Sequence, residues 1–202
     1  MWLMHYKFIK IFLLLFMLLI LVSCNSITDP IATECSYVAK VSQENLEPQL
    51  KRQGICGEFF DEDTLLIYSK HFDKMDFGED NLTSLYTNNG IFYVSKLGKV
   101  KRTFLFDNGA DYFEEGLTRI LKEKKFGFMD KKLKVVIIPQ YDFAFPFQNA
   151  KAVVCNGCKQ KKEEHKEYMQ IVGGKWGAID KQGSIIIPMV YDSKEIYQTL
   201  AK

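Results

Sequence analysis

Cys155-Asn156-Gly157-Cys158 is the stretch whose residue types and spacing most suggest chemistry. Two thiols separated by two residues can close a tight disulfide, act as a redox dithiol, or supply half of a zinc site. A redox dithiol is activated when its first cysteine opens a helix, where the dipole stabilises the thiolate. Here residues 151–154 read as a strand and the cysteines as a hairpin loop, so that support is missing. Zinc would need two more ligands. His165 follows Cys158 by seven residues, beside Glu163 and Glu164, so the metal alternative is Cys155, Cys158 and His165. With Cys35 and Cys56, four cysteines allow three disulfide connectivities. The local pairs Cys35–Cys56 and Cys155–Cys158 are favoured, and no cofactor is required. There is no Gly-x-Ser-x-Gly, no phosphate-binding glycine loop and no His-Glu-x-x-His. Acidic pairs such as Glu114-Glu115 fall on turns. His71 has no clustered partner and reads as a surface residue. The expectation is a protein that is not an enzyme.

The fifth cysteine has a different setting. Lys7 and Lys10 precede twelve unbroken apolar residues, 11–22. That length suits a signal-peptide core and falls short of the roughly 20 residues of a spanning helix. The run ends in Leu21-Val22-Ser23-Cys24, which resembles a bacterial lipobox. Residues 1–23 are then a lipoprotein signal peptide, and Cys24 carries the lipid. Asn25 in place of Asp favours sorting to the outer membrane, facing the periplasm. A lipid holds a protein at a membrane surface without spanning it. Losing the two lysines of 1–23 from 27 basic residues leaves 25, which balances the 25 acids. A neutral mature chain has no electrostatic footprint for nucleic acid. The lysine-rich stretches 122–125 and 159–162 read as solvated hairpin ends.

The elements that must position these cysteines come from a repeat. Sixteen Phe and ten Tyr lean the composition toward β structure. Phe126-Gly127-Phe128-Met129-Asp130 aligns with Trp176-Gly177-Ala178-Ile179-Asp180 at an offset of 50, and Tyr141-Asp142 aligns with Tyr191-Asp192. At an offset of 35 in the other direction, residues 91–94 fall on 126–129 and Phe106-Asp107 on Tyr141-Asp142. Each copy alternates as a half-buried strand does, passes a polar turn, and returns as a β-branched run. Gly183 and Gly98 suit the left-handed position of the turn, where copy two has Leu133. Pro139 and Pro188 should end a strand or lie on an edge. Tyr-Asp should make a corner, ring inward and carboxylate on backbone amides. An insertion of about 15 residues separates copies two and three and holds the Cys155–Cys158 pair. The recurring rings, Trp176, Phe126, Tyr141, Tyr191 and Phe106 among them, are expected to bury a common seam.

Gly-Lys-Trp-Gly-x-Ile-Asp-Lys-x-Gly-x-Ile-x-Ile-Pro-x-x-Tyr-Asp, residues 174–192, resembles the WG (KWG) repeat of bacterial proteins. Phe113-Glu114-Glu115-Gly116-Leu117 resembles the Phe-x-Glu-Gly-Leu pattern between such units. The resemblance covers about residues 80–195. It implies stacked β-hairpins and no assigned catalytic activity, and many of the family are lipoproteins or secreted. Glu164-His165 after the cysteines is also a feature the resemblance suggests.

The expected architecture is all-β: consecutive antiparallel β-hairpin repeats, preceded by a segment that allows a short helix over 35–52. The expected division is signal peptide 1–23, tether 24–34, an N-terminal segment 35–79 with a decayed half-repeat, and a repeat domain 80–202. The expected role is a binding or scaffold module at the cell envelope, attached to the membrane by lipid and recognising an envelope protein or glycan. A metal- or redox-responsive role of Cys155, Cys158 and His165 is the alternative. Intact mass of the mature chain tests the chemistry at once. Lipid mass on Cys24, a gain of two hydrogens per disulfide on reduction, and no zinc is the expected result; bound zinc would favour the metal alternative.

Overall fold

The computed structural model describes residues 29–42, 47–162 and 169–200. Residues 1–28 lie outside them, so the signal peptide and Cys24 do too, as do Glu163, Glu164 and His165. Residues Ile31–Lys202 form one contact unit. Among the described residues no helix is long and apolar enough to cross a membrane.

Among the described residues the fold is antiparallel β with two short helices. Three hairpin units recur. The first is β4 (Leu82–Thr87), β5 (Gly90–Ser95) and β6 (Val100–Arg102); the second is β9 (Leu117–Lys122), β10 (Lys125–Asp130) and β11 (Val135–Tyr141). The third is β13 (Ala152–Lys162), β14 (Met169–Ile179) and β15 (Ile185–Tyr191), with β12 (Phe143–Ala144) added outside β13. Between units one and two lies a small hairpin, β7 (Leu105–Phe106) and β8 (Gly109–Ala110).

The glycine after the aromatic in units two and three has a steric cause. β10 and β14 each lose regular register against the returning strand there, between Phe126 and Phe128 and between Trp176 and Ala178. At that bulge the partner backbone crosses directly over the glycine. A Cβ on Gly127 would sit 2.4 Å from the Ile137 carbonyl oxygen, and one on Gly177 2.5 Å from that of Ile187. The prolines Pro139 and Pro188 occupy the same crossing, on edge strands where a missing N–H is tolerated. Unit one has Phe92 at this position and pairs regularly with β6. Its return strand is therefore shorter. Phe126 pairs with Tyr141 and Trp176 with Tyr191, whereas Ile91 bonds Thr103. Thr103, not Phe106, is the structural counterpart of Tyr141. That corrects the expected seam: Tyr141 and Trp176 are buried, but Phe106 is 44% exposed.

The turns after the central strands share one chemistry. The Asp130 carboxylate accepts the amides of Lys132 and Lys134, and that of Asp180 accepts those of Gln182 and Ser184. In unit one the Ser95 hydroxyl accepts the Lys99 amide. Gly98 and Gly183 have positive φ, and Leu133 matches them at φ 55°. A leucine there costs roughly 1–2 kcal/mol. Its side chain is 3% exposed, in a cluster with Leu82, Ile120 and Met129 that joins units one and two. Burying it contributes about 1.5–3 kcal/mol, enough to hold the strained backbone.

The N-terminal segment differs from expectation. β1 (Ile31–Val38) and β2 (Leu50–Phe59) are strands where 35–52 allowed a helix, and the sheet starts inside the expected tether 24–34. In β1, Thr33, Cys35 and Tyr37 point inward at period two, which is a strand pattern. β3 (Leu65–Ile67) follows, and β1 pairs with β4, so unit one's sheet extends to β3-β2-β1-β4-β5-β6. Helix α1 (Ser69–Phe72) brings His71 under this sheet, 9% exposed, with Nδ1 2.9 Å from the Tyr37 hydroxyl. His71 is thus a core residue and not a surface one. Burial holds its pKa below the ordinary value.

Two variants test this account. Gly177→Ala should cost at least about 2 kcal/mol in denaturant unfolding, because backbone occupies the Cβ position. At Leu133 the usual order should invert: Leu133→Gly should unfold less readily than Leu133→Ala, since both lose the buried side chain but only glycine relieves the left-handed strain.

Candidate ligand groove

In Phe143-Ala144-Phe145-Pro146-Phe147 strand β12 ends at Ala144, and beyond it the regular same-face placement of alternate rings is lost, so the three rings fall in two environments. Phe147 points into the core and meets Phe128 edge-on at 4.7 Å between centroids. Phe143 and Phe145 turn toward Trp176, at 6.3 and 6.1 Å. Tyr197 of α2 (Glu195–Leu200) closes on Phe145 at 6.3 Å. From the other side Phe104 packs edge-on against Phe126 at 4.9 Å. Phe104, Phe106, Phe143, Phe145, Trp176 and Tyr197 line an open groove of about 710 Å³. Gln160, Met169, Gln170 and Ile171 of the β13–β14 arm form its remaining wall, with Arg119 and Ser193.

Arg119 is the charged group in this lining, and it is fully committed. Its Nε donates to Asp111 Oδ2 at 2.9 Å and its Nη2 to Oδ1 at 2.6 Å. Both side chains are 2% exposed. Nη1 donates to the Ala144 carbonyl at 3.1 Å, and the Arg119 amide donates to Asp111 Oδ2 at 3.0 Å. The guanidinium carbon lies 4.9 Å from the Phe104 centroid and 5.0 Å from that of Phe106. Each oxygen of the carboxylate is bonded, so the buried charges are neutralised in place. Tyr93 donates its hydroxyl to the Asp111 carbonyl at 2.7 Å, and burial, first, with the Asp111 charge second, pushes its pKa up to about 12. Phe106, displaced from the core by the short β6, is thereby fixed over the guanidinium with one face open.

The arm is the insertion, and it lies inside the third unit's hairpin. β13 carries through both cysteines to Lys162, so they sit in a strand and not in the expected hairpin loop. The extra length is accommodated by Gly157, Gly173 and Gly174, all at positive φ, where the ladder bends. Cys155 lies against Cys158 with Cα atoms 6.1 Å apart, and Cys35 against Cys56 at 5.7 Å, both within disulfide reach. Trp176 Nε1 donates to the Gly173 carbonyl at 2.9 Å. Asp142 clamps the arm's base: Oδ2 accepts the Gly157 amide at 2.6 Å and Oδ1 the Lys125 ammonium at 2.5 Å. Those two bonds, Lys125 first, hold its pKa below the ordinary carboxylate range. Asp192 instead takes the amides of Lys194 and Glu195 at the start of α2. Asp107 falls at positive φ in the β7–β8 turn.

The structure thus brings Phe106, Trp176, Tyr191 and the Cys155–Cys158 pair to one region, while Gly183 and Cys35–Cys56 do structural work elsewhere. Among the described residues no three His, Cys, Asp or Glu side chains are placed to hold a metal ion. Sequence reasoning missed Arg119, Asp111, Phe104 and the Phe143, Phe145 pair. Only that pair, two rings spaced by two residues, left a visible trace. The model of the WG containing repeat matches residues 126–159 and 176–195. No curated protein and no solved structure matches the chain.

Removing one partner of the buried pair should be severe: Arg119→Met should cost about 3–5 kcal/mol by leaving Asp111 unpaired, and the Asp111→Asn/Arg119→Met double variant should recover part of it. A lowered native pKa makes Asp142 stabilising above its unfolded value of about 3.9, with that contribution lost as pH falls through the native value. Asp142→Asn should therefore flatten the acid limb of stability against pH, as read by denaturant midpoints.

Proposed function

Since this chain is a WG-repeat protein, we propose that it is a non-catalytic recognition module, anchored by lipid on Cys24 at the cell envelope. The observation that supports it is the aromatic groove. A concave, mostly apolar surface with a few polar groups is the usual form of a binding site. The Arg119 charge is cancelled by Asp111, so the lining offers no electrostatic lure for an ion. Beyond it, the polar groups of the lining are Gln160, Gln170, Ser193 and the Tyr197 hydroxyl, the Trp176 N–H being bonded to the Gly173 carbonyl. A sugar would bring more hydroxyls than these groups serve. The favoured occupant is an uncharged, aromatic or aliphatic segment of an envelope protein, with Phe106 and Tyr197 as its outer contacts.

Cross-linking to envelope extracts, compared between the native sequence and a Phe106→Ser/Tyr197→Ser variant, tests this. Both side chains are about half exposed, so the fold should tolerate the change. The expected result is a reproducible protein adduct that falls at least tenfold in the variant. An adduct unaffected by the variant would refute the groove, and sedimentation with purified peptidoglycan instead would move the reading to a glycan.

A further inference from the structure

We infer that the Cys155–Cys158 bridge is a redox-sensitive fastener for the arm that walls the groove; the inference rests on the groove reading for its consequence. The arm has a base, where Cys155 faces Trp176, and an outer part, where Gln160 faces Ile171 and Lys162 faces Met169. Between them the ladder passes through Gly157 opposite Gly174, with Gly173 beside it. Three residues at positive φ within one crossing make a joint with little intrinsic stiffness. The bridge spans that joint from base to outer arm. Gly174 packs against it, since a Cβ there would meet Cys158 N at 2.4 Å and Cys155 Sγ at 2.6 Å. Outward of the joint the arm supplies groove wall; inward, the cysteines share a cluster with Trp176, Val153 and Ile196. The bridge thus adds a covalent tie to a joint otherwise held by the ladder and by the Asp142–Gly157 and Trp176–Gly173 bonds.

The sites differ in access. Cys35 and Cys56 are enclosed in the six-stranded sheet's core cluster. Cys158 is 7% exposed, against 2% for Cys35 and 0% for Cys56, so its sulphur is the one that solvent reaches. A dithiol reductant would attack Cys158 Sγ as a thiolate, and the Cys155–Cys158 bond would break, with Cys155 leaving as a thiolate that takes up a proton. The reductant's second thiol then displaces Cys158 and closes its own disulfide. Two electrons and two protons pass to the protein. The freed joint lets the outer arm leave the groove.

The test uses the full chain with dithiothreitol as the reductant. Partial reduction followed by alkylation and peptide mapping should label Cys155 and Cys158 before Cys35 and Cys56. Hydrogen exchange at residues 159–162 and 169–173 should rise at least tenfold on that reduction and in a Cys155→Ser/Cys158→Ser variant, with β9–β11 unchanged. Labelling of Cys35 and Cys56 first, unchanged arm exchange, or a rise spread over the whole chain would each overturn the inference. An arm that loosens in a protein that captures no partner supports the fastener and counts only against the groove reading.

Discussion

The Asp111–Arg119 pair is the interaction on which the arrangement around the groove depends. It sits where unit one gives way to unit two and where β12 meets β9. The Arg119 carbonyl accepts the Thr103 hydroxyl at 3.3 Å, its guanidinium reaches the Ala144 carbonyl, and the same guanidinium lies over the Phe104 and Phe106 rings. Burying an ion pair gains little over apolar packing, because desolvation cancels most of the attraction. What it supplies here is direction. An arginine fork accepts a carboxylate in one plane, and that plane sets the pitch of both rings. Leucines in the same space would fill it without orienting anything.

A second constraint is steric. In units two and three the return strand bulges over the glycine after the aromatic, and the extra residues carry Tyr141 and Tyr191 back over Phe126 and Trp176. Unit one lacks the glycine, keeps a regular ladder, and comes up short. The shortfall is productive: it leaves Phe106 outside the core, where it becomes part of the groove. The site is therefore built at the place where the repeat is least regular, while the regular copies furnish the scaffold.

This division explains how much could be read from the sequence. The repeat was legible because its rings, turn carboxylates and prolines recur at offsets of 35 and 50, and sterics force each. The N-terminal strands were hidden because the inward face of β1 is Thr33, Cys35 and Tyr37, a set with no strong hydropathy contrast to its neighbours. His71 appeared solitary because its partner, Tyr37, is 34 residues away. The groove was hidden for a similar reason. Phe104 lies between units one and two and Tyr197 after unit three, and Arg119 looks like any strand arginine until its carboxylate is seen. Counting offsets finds what a fold repeats and passes over what it uses once.

The two edge prolines have a further consequence. β11 and β15 are outer strands whose exposed side chains include Ile138, at 68%, with Ile185, Ile186 and Val190. A flat aliphatic edge of this kind is a template on which other chains can add and grow into fibrils. Beside Pro139 and Pro188 the bulge breaks the regular ladder and takes the strand out of the flat geometry that stacking demands. The residues that let the return strand cross its glycine are, at the same time, this protein's defence against polymerising through its own surface.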